Sequence, residues 1–284
     1  MKGAKWVIVL LLVAAIWGST FALVKETLST FGTFALLFLR FGIAALLLGI
    51  FCLLRRQKIS NSELKNGAIL GFFLFVSYAA QTWGLNFTSP TNSAFITGLF
   101  VIMAPILSAL LFREKTERKI WLASALALAG LYILTGASTS FNPGDAITLL
   151  SALGYALQIV YAAKYLKKCN AISLVTVQLA VVALLSLFLM VALGETPAAY
   201  PLPAMGAVLF LALFATLFAQ WGQLVSQEHL EPSRVVLVLI TEPVFAMLYS
   251  VLFFGEVLSA SSIAGAGLIL AGMLIAEWPK GKKE

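Results

Sequence analysis

The sequence predicts an all-α integral membrane protein: ten transmembrane helices in two inverted five-helix repeats, with the N- and C-termini cytoplasmic. Three observations predict it. Of the 284 residues, 61% are hydrophobic and 11% charged, and the mean hydropathy of +0.99 lies well outside the range of soluble domains. Apolar runs recur along the whole length, each near the ~20 residues that a bilayer core about 30 Å thick requires. The sequence also matches itself at a shift of 142 residues.

The runs follow in order. The first, 6–24, comes after Lys2 and Lys5 and reaches Lys25 at its outer end. Its opening imitates a secretory signal, but the repeat needs this helix retained. The second, 33–54, contains Arg40 and stops at Arg55 and Arg56, and the third spans 66–86. The fourth, 90–112, opens on Ser89-Pro90, and the ninth, 234–254, follows Glu231-Pro232. Proline at a first helical position costs nothing, because its missing N–H has no partner there. The fifth, 119–137, and the tenth, 262–278, are rich in Gly and Ala. Such small residues let backbones approach closely, which predicts internal scaffold packing and a monomer or weak homodimer. The sixth, seventh and eighth runs cover 144–163, 172–193 and 203–225. A β-barrel, built from ~10-residue alternating strands, would not give continuous apolar runs of this kind.

Threading ten spans from a cytoplasmic N-terminus puts 17 of the 19 Lys and Arg on the inner side. The exceptions are Lys25 and Arg40. Loop Lys/Arg bias sets orientation, so the net charge of +7 describes topology and implies no nucleic acid. At the 142-residue shift, 90–134 lies over 232–276 without a gap and 11 of 45 positions are identical, among them Pro90 with Pro232 and Gly130 with Gly272. Five helices per half is an odd number, so the second copy, 139–284, runs upside down relative to the first, 1–138. Inverted halves of this kind characterise secondary transporters, whose substrate site lies between the repeats near the bilayer midplane. The two copies differ in one respect. Pro105 stands nine residues before Glu114, whereas Pro243 stands thirteen before Glu256, which predicts that the fourth and ninth helices bend at different depths.

The stretches "AAIWGSTFALVK", "LRFGIAALLL", "EPVFAMLYSVLFFGE" and "IAGAGLILAG" together carry a resemblance that covers essentially the whole chain. The sequence resembles the drug/metabolite transporter superfamily, in the EamA branch that includes YddG-type amino-acid exporters. The resemblance implies a central cavity open to one side at a time. It also implies export of small metabolites or amino acids across a prokaryotic plasma membrane.

Ionisable groups inside a bilayer usually face the bundle interior or a water-filled cavity. Arg40 and Glu242 are the two such groups, separated along the membrane normal by roughly 8 Å from helical rise. Arg40 either ties the scaffold together through helix carbonyls or an acid such as Glu256, or anchors a substrate carboxylate with its planar fork of donors. Glu242 either partners a polar group beside Pro243, or meets a substrate amine or a proton. Polar stripes are the stronger signal. Tyr78, Gln81, Thr82 and Leu85 share one helix face, as do Ser151, Tyr155, Gln158 and Ala162, and Thr216, Gln220, Gln223 and Gln227. The 142-residue shift maps Gln81 onto Gln223. Trp17, Ser19 and Thr20 in the first helix and Thr91, Asn92 and Ser93 in the fourth add to the polar set. Of the aromatics mixed with these polar groups, Trp17, Tyr78, Trp83, Tyr155, Tyr161 and Trp221, many suit packing or the interfacial belts, and those near mid-span suit the apolar walls of an organic-ligand pocket. The predicted cavity suits a small, partly apolar, neutral or zwitterionic molecule.

Other functions find less in the sequence. Antiport of phosphorylated metabolites or nucleotide sugars needs several cations on the path, and Arg40 alone is well placed. The single histidine, His229, stands in a loop. No HExxH motif, cysteine pair or carboxylate cluster points to an enzyme or a metal site, and no Walker motif implies ATP or another cofactor. A non-transporting scaffold remains the other alternative. Energy for transport comes either from the substrate's own gradient or from a coupled proton.

Overall fold

A computed structural model describes residues 3–136, 142–195, 201–254 and 259–278. Among these residues, nine helices are long and apolar enough to cross a bilayer, and ten if one bent pair counts as a single span. The first span is that pair, α1 (Ala4–Gly18) and α2 (Thr20–Phe31), bent by 42°. It runs beyond the expected end at residue 24. Lys25 does not terminate it, because its ammonium donates to the carbonyls of Leu85 and Thr88, and Val24, Leu28 and Phe31 bury the inner face of α2. The hydroxyls of Ser19 and Thr20 fold back onto the carbonyls of Ile16 and Trp17 at the bend.

Helices α3 (Thr33–Leu54) and α4 (Asn61–Gly84) form spans two and three. A capping box starts α4: the Ser60 hydroxyl accepts from the Glu63 N–H and the Glu63 carboxylate accepts from the Ser60 N–H. Span four is α5 (Pro90–Gly98) followed by α6 (Phe100–Phe112), and span five is α7 (Arg118–Thr135). Helices α8 (Pro143–Tyr165) and α9 (Ala171–Ala192) are spans six and seven. Span eight joins α10 (Leu202–Phe210), a π-helical stretch (Leu211–Phe218) and α11 (Ala219–Gln227). Span nine is α12 (Pro232–Leu239) followed by α13 (Glu242–Phe254), and α14 (Ala260–Glu277) is span ten.

Both Pro90 and Pro232 occupy first-turn positions, as their missing N–H groups predict. The expectation that spans four and nine bend at different depths is corrected. Span four breaks at Leu99 and span nine at Ile240 and Thr241, and the shift of 142 carries Leu99 onto Thr241. The unequal prolines do not set the breaks, since Pro105 sits inside α6, six residues beyond Leu99, while Pro243 is the second residue of α13, two beyond Thr241.

The helices α7 and α14 pack backbone to backbone. A Cβ on Gly130 would stand 2.6 Å from the Gly265 carbonyl oxygen and 2.8 Å from the Ile269 nitrogen. A Cβ on Gly272 would stand 2.6 Å from the Ala123 carbonyl oxygen and 3.2 Å from the Ala127 nitrogen. These contacts are reciprocal under the 142-residue shift, and they pair early residues of one helix with late residues of the other, so α7 and α14 run antiparallel. The small residues thus serve internal packing, as expected. Elsewhere α3 packs on α9, α4 on α8 and α9, and α1 on α11, α12 and α13.

The loops separate onto two faces. One carries Arg55, Arg56, Lys58, Lys115 and Lys168, and contacts such as Glu63 with Asn170 and Gln57 with Ser173 knit it together. Lys167 approaches Glu114 on the same face at 3.9 Å. The opposite face holds Lys25 on Leu85 and Thr88, Thr88 on Asp145 at 2.6 Å, and the Glu195 carboxylate accepting from the Phe34 N–H.

Candidate functional site

A narrow cavity of about 40 Å³ lies in the middle of the bundle, where the broken spans one, four and nine meet the polar stripes. That is room for a few water molecules, well below the ~300–1,000 Å³ of an open small-molecule site, so the cavity is nearly closed in this conformation. Of the residues singled out in the sequence, Trp17, Arg40, Tyr78, Gln81, Thr82, Tyr155, Gln223 and Glu242 line it together. Tyr78, Gln81, Thr82 and Leu85 all face it, so the predicted stripe of span three is its wall. The shift-related pair Gln81 and Gln223 stands on that lining too.

Arg40 is buried, only 3% exposed, and is held from two directions. Its Nε donates to Thr216 Oγ1 at 2.9 Å and its Nη2 to the Ala215 carbonyl at 3.4 Å. The guanidinium also lies over the Tyr78 and Phe41 rings, 5.0 and 5.4 Å from their centroids. Trp17 donates from Nε1 to the same Ala215 carbonyl at 2.8 Å. That carbonyl belongs to the π-helical stretch of span eight, where the wider turn departs from the ordinary helical ladder. Polar side chains from two other spans satisfy it, which a membrane interior requires of any backbone group outside the regular ladder.

A chain of amides stands behind the wall. Gln223 donates to Gln158 at 2.9 Å, Gln158 to Gln178 at 3.4 Å, Gln178 to Gln220 at 3.2 Å, and Gln220 to the Tyr78 hydroxyl at 3.3 Å. Gln158 and Gln220 are completely buried in this chain and hold the wall from behind without lining the cavity. The last bond joins residues that are 142 positions apart. Tyr78 and Tyr155 meet edge to face at 5.5 Å, and Phe100 stands 6.4 Å from Tyr155. At a rim, Gln81 donates to Thr97 at 3.1 Å.

On the opposite face a wider vestibule of about 930 Å³ lies between α2, α5 and α13. Phe21 and Glu242 line both this vestibule and the central cavity. The Glu242 carboxylate starts α13 at the break in span nine, where α1 comes so close that a Cβ on Gly18 would stand 2.6 Å from the Glu242 carbonyl oxygen. Among the described residues no side-chain hydrogen bond or ion pair engages that carboxylate. Glu256, the acid named as an alternative partner for Arg40, lies outside the described residues.

Two predicted residues stand apart. Ser19 lines the vestibule instead of the cavity, its hydroxyl turned back onto the Ile16 carbonyl. Asn92 is in the first turn of α5, its N–H capped by Ser89, and does not reach the lining. Of the other aromatics, Trp83 is exposed and Tyr161 packs against Phe73 and Phe112. The lining also includes Thr20, Phe21, Val24, Thr97, Phe100, Ile159 and Leu239. Thr97 was legible one turn beyond Ser93 on the same helix face. Gln178 was legible as the one amide in span seven, whose other polar residues are the hydroxyls Ser173, Thr176 and Ser186.

Comparison with known proteins agrees with this architecture. The model of the EamA-like transporter family matches twice, over residues 4–136 and 142–278. An uncharacterized transporter of Archaeoglobus fulgidus is 34% identical over 266 residues, covering 94% of this chain and 83% of that protein. The uncharacterized inner membrane transporter YedA of Escherichia coli is 28% identical, covering 92% and 86%. A solved crystal structure shares the fold with a TM-score of 0.78 at 19% identity, over 96% of each chain. The chain is therefore a multi-pass membrane transporter and not an enzyme, and it belongs to the EamA-like transporter family.

Proposed function

We propose that the protein exports small zwitterionic or amphipathic metabolites, amino acids foremost, across a prokaryotic plasma membrane by alternating access. The observation that carries this reading is the placement of one guanidinium, Arg40, and one carboxylate, Glu242, on the wall of a single cavity whose other walls combine aromatic and aliphatic side chains with neutral Thr and Gln. A fixed cation and a fixed anion match the carboxylate and ammonium of an amino acid, and the rings between them accept its side chain. A phosphorylated metabolite would need more cations, and among the described residues Arg40 is the only Lys or Arg on the lining.

The alternating-access part rests on inverted halves, 1–138 and 139–284, with cytoplasmic chain ends. The antiparallel, reciprocal packing of Gly130 and Gly272 supports it, because a two-fold axis perpendicular to α7 and α14 exchanges them. Contact between Tyr78 and its shift-mate Gln220 supports it as well, since residues that touch their own counterparts lie near such an axis. Glu242 either meets the substrate ammonium or carries a proton in exchange, and one variant separates these roles.

Counterflow of radiolabelled amino acids into proteoliposomes tests the reading. At least one neutral amino acid with an apolar side chain should exchange saturably, and Glu242→Gln should weaken its uptake about tenfold, the equivalent of ~1.4 kcal/mol. If Glu242 carries the proton, the same variant also flattens the response of uptake to pH. No saturable exchange for any amino acid, or uptake by Glu242→Gln equal to wild type, contradicts the proposal.

A further inference from the structure

Three voids follow one another from the vestibule inward. The vestibule, of about 930 Å³, adjoins a crevice of about 10 Å³, and the crevice adjoins the central cavity of about 40 Å³. The crevice has room for one water molecule at most, so no solute passes between the larger spaces in this conformation. Among the described residues, Phe21 and Glu242 are the two that line all three voids. They stand at the level where the broken spans turn. Phe21 is two residues beyond Ser19, Glu242 opens α13 directly after Thr241, and Gly98, beside the break at Leu99, is on the crevice wall.

Of these two residues, only Phe21 can clear the opening without moving a helix. On the Glu242 side the backbone is pinned: a Cβ on Gly18 would stand 2.6 Å from the Glu242 carbonyl oxygen and 2.9 Å from the Ala246 nitrogen, which leaves no slack between α1 and α13. The side chains flanking Phe21 are also committed. Val24 is buried in an apolar core with Leu28 and Phe31, and Trp17 donates from its indole to the Ala215 carbonyl. Phe21 is held differently, being half-buried and, among the described residues, packed on neither apolar core. A ring bordered by open space moves between staggered χ1 wells at small cost and fast, as partly exposed side chains do.

We infer that Phe21 is the gate between the vestibule and the central cavity: its ring shuts the cavity in this conformation, and its rotation admits the solute. Glu242 forms the fixed side of the same opening. The closed ring also keeps the water of the vestibule from Arg40, which is only 3% exposed although it lines the cavity next in the series. The inference concerns passage alone, so it stands whether or not the solute is an amino acid.

Thr97 gives the readout, because it lines the crevice and the cavity but not the vestibule. Full-length protein carrying Thr97→Cys with Cys52→Ser and Cys169→Ser, in lipid nanodiscs without solute, is labelled with a membrane-impermeant methanethiosulfonate. Phe21→Ala should speed labelling at least about tenfold and Phe21→Leu about threefold, as the open fraction rises. Phe21→Trp, a larger gate, should slow it about threefold by the same reasoning. Phe210→Ala, which removes a ring from the vestibule wall alone, should leave the rate unchanged. A second protein keeps Cys52 as its only cysteine, buried against Thr176 where α3 packs on α9. Phe21→Ala should leave that thiol unreactive, because a gate opens a path without loosening the bundle. The inference fails if Phe21→Ala labels at the wild-type rate, or if Phe21→Trp or Phe210→Ala speeds labelling as Phe21→Ala does. It fails equally if Cys52 becomes reactive together with position 97, since Phe21 would then be ordinary packing.

Discussion

Where α7 meets α14, glycines bring backbone against backbone, and the polar contact is at one end, where the Lys119 ammonium donates to the Ala276 and Trp278 carbonyls. Around the central cavity, by contrast, α3, α4, α8, α9 and span eight meet through an arginine, four glutamines and several aromatic rings. The first arrangement has a single packing solution, because closely approaching backbones tolerate neither added nor shifted atoms. The second is a set of modest hydrogen bonds that a ligand's groups can exchange for their own at small net change. A bundle that must hold its halves together and still admit a solute needs both, and this one puts them in separate places.

The seam is where the largest effect is expected. Gly272→Val forces a branched side chain onto the Ala123 carbonyl, 2.6 Å from the first added carbon, and should destabilise the fold by more than about 3 kcal/mol. Thermal unfolding in detergent checks it, and a protein that unfolds near the wild-type temperature breaks the contrast. Arg40→Leu removes two hydrogen bonds and the stacking on Tyr78, leaving the Thr216 hydroxyl and Ala215 carbonyl with fewer partners. It should cost about 2–3 kcal/mol, and Arg40→Lys, which keeps the charge but not the fork, about half as much.

Gln178→Leu cuts the amide chain in its middle, stranding the Gln158 donor and the Gln220 acceptor, for about 2 kcal/mol by the same measurement. On the cavity lining, Thr97→Val removes a single bond from Gln81, a half-buried amide, and should shift stability by less than about 1 kcal/mol. Should Thr97→Val prove as costly as Gln178→Leu, the cavity wall would be a packed core like any other.

Much of the frame was legible in the sequence. Periodicity placed the stripe from Tyr78 to Leu85, the self-match paired Gly130 with Gly272 as equivalent positions, and Pro90 and Pro232 marked helix starts, because each reflects a rule of spacing, repetition or capping that the chain carries in itself. The breaks were less legible. Span one was expected to end at Lys25, but the carbonyls that accept its ammonium belong to residues 60 and more positions away. The bend in span nine was tied to Pro243, whereas Ile240 and Thr241 form it at the register shared with Leu99. Nothing in "LALFATLF" announces a π-helical stretch, since neither Pro nor Gly interrupts it and the donors that use its Ala215 carbonyl come from spans one and two. Long-range satisfaction of polar groups, unlike capping or periodicity, leaves no local trace.

Whether the central cavity holds the transported solute is tested most directly by labelling Thr97→Cys in a Cys52→Ser/Cys169→Ser background with a membrane-impermeant thiol reagent. Reaction with and without a saturating amino acid that shows counterflow is then compared. The account predicts that the solute slows labelling several-fold, in proportion to its occupancy. Labelling at the same rate in its presence and absence would contradict it.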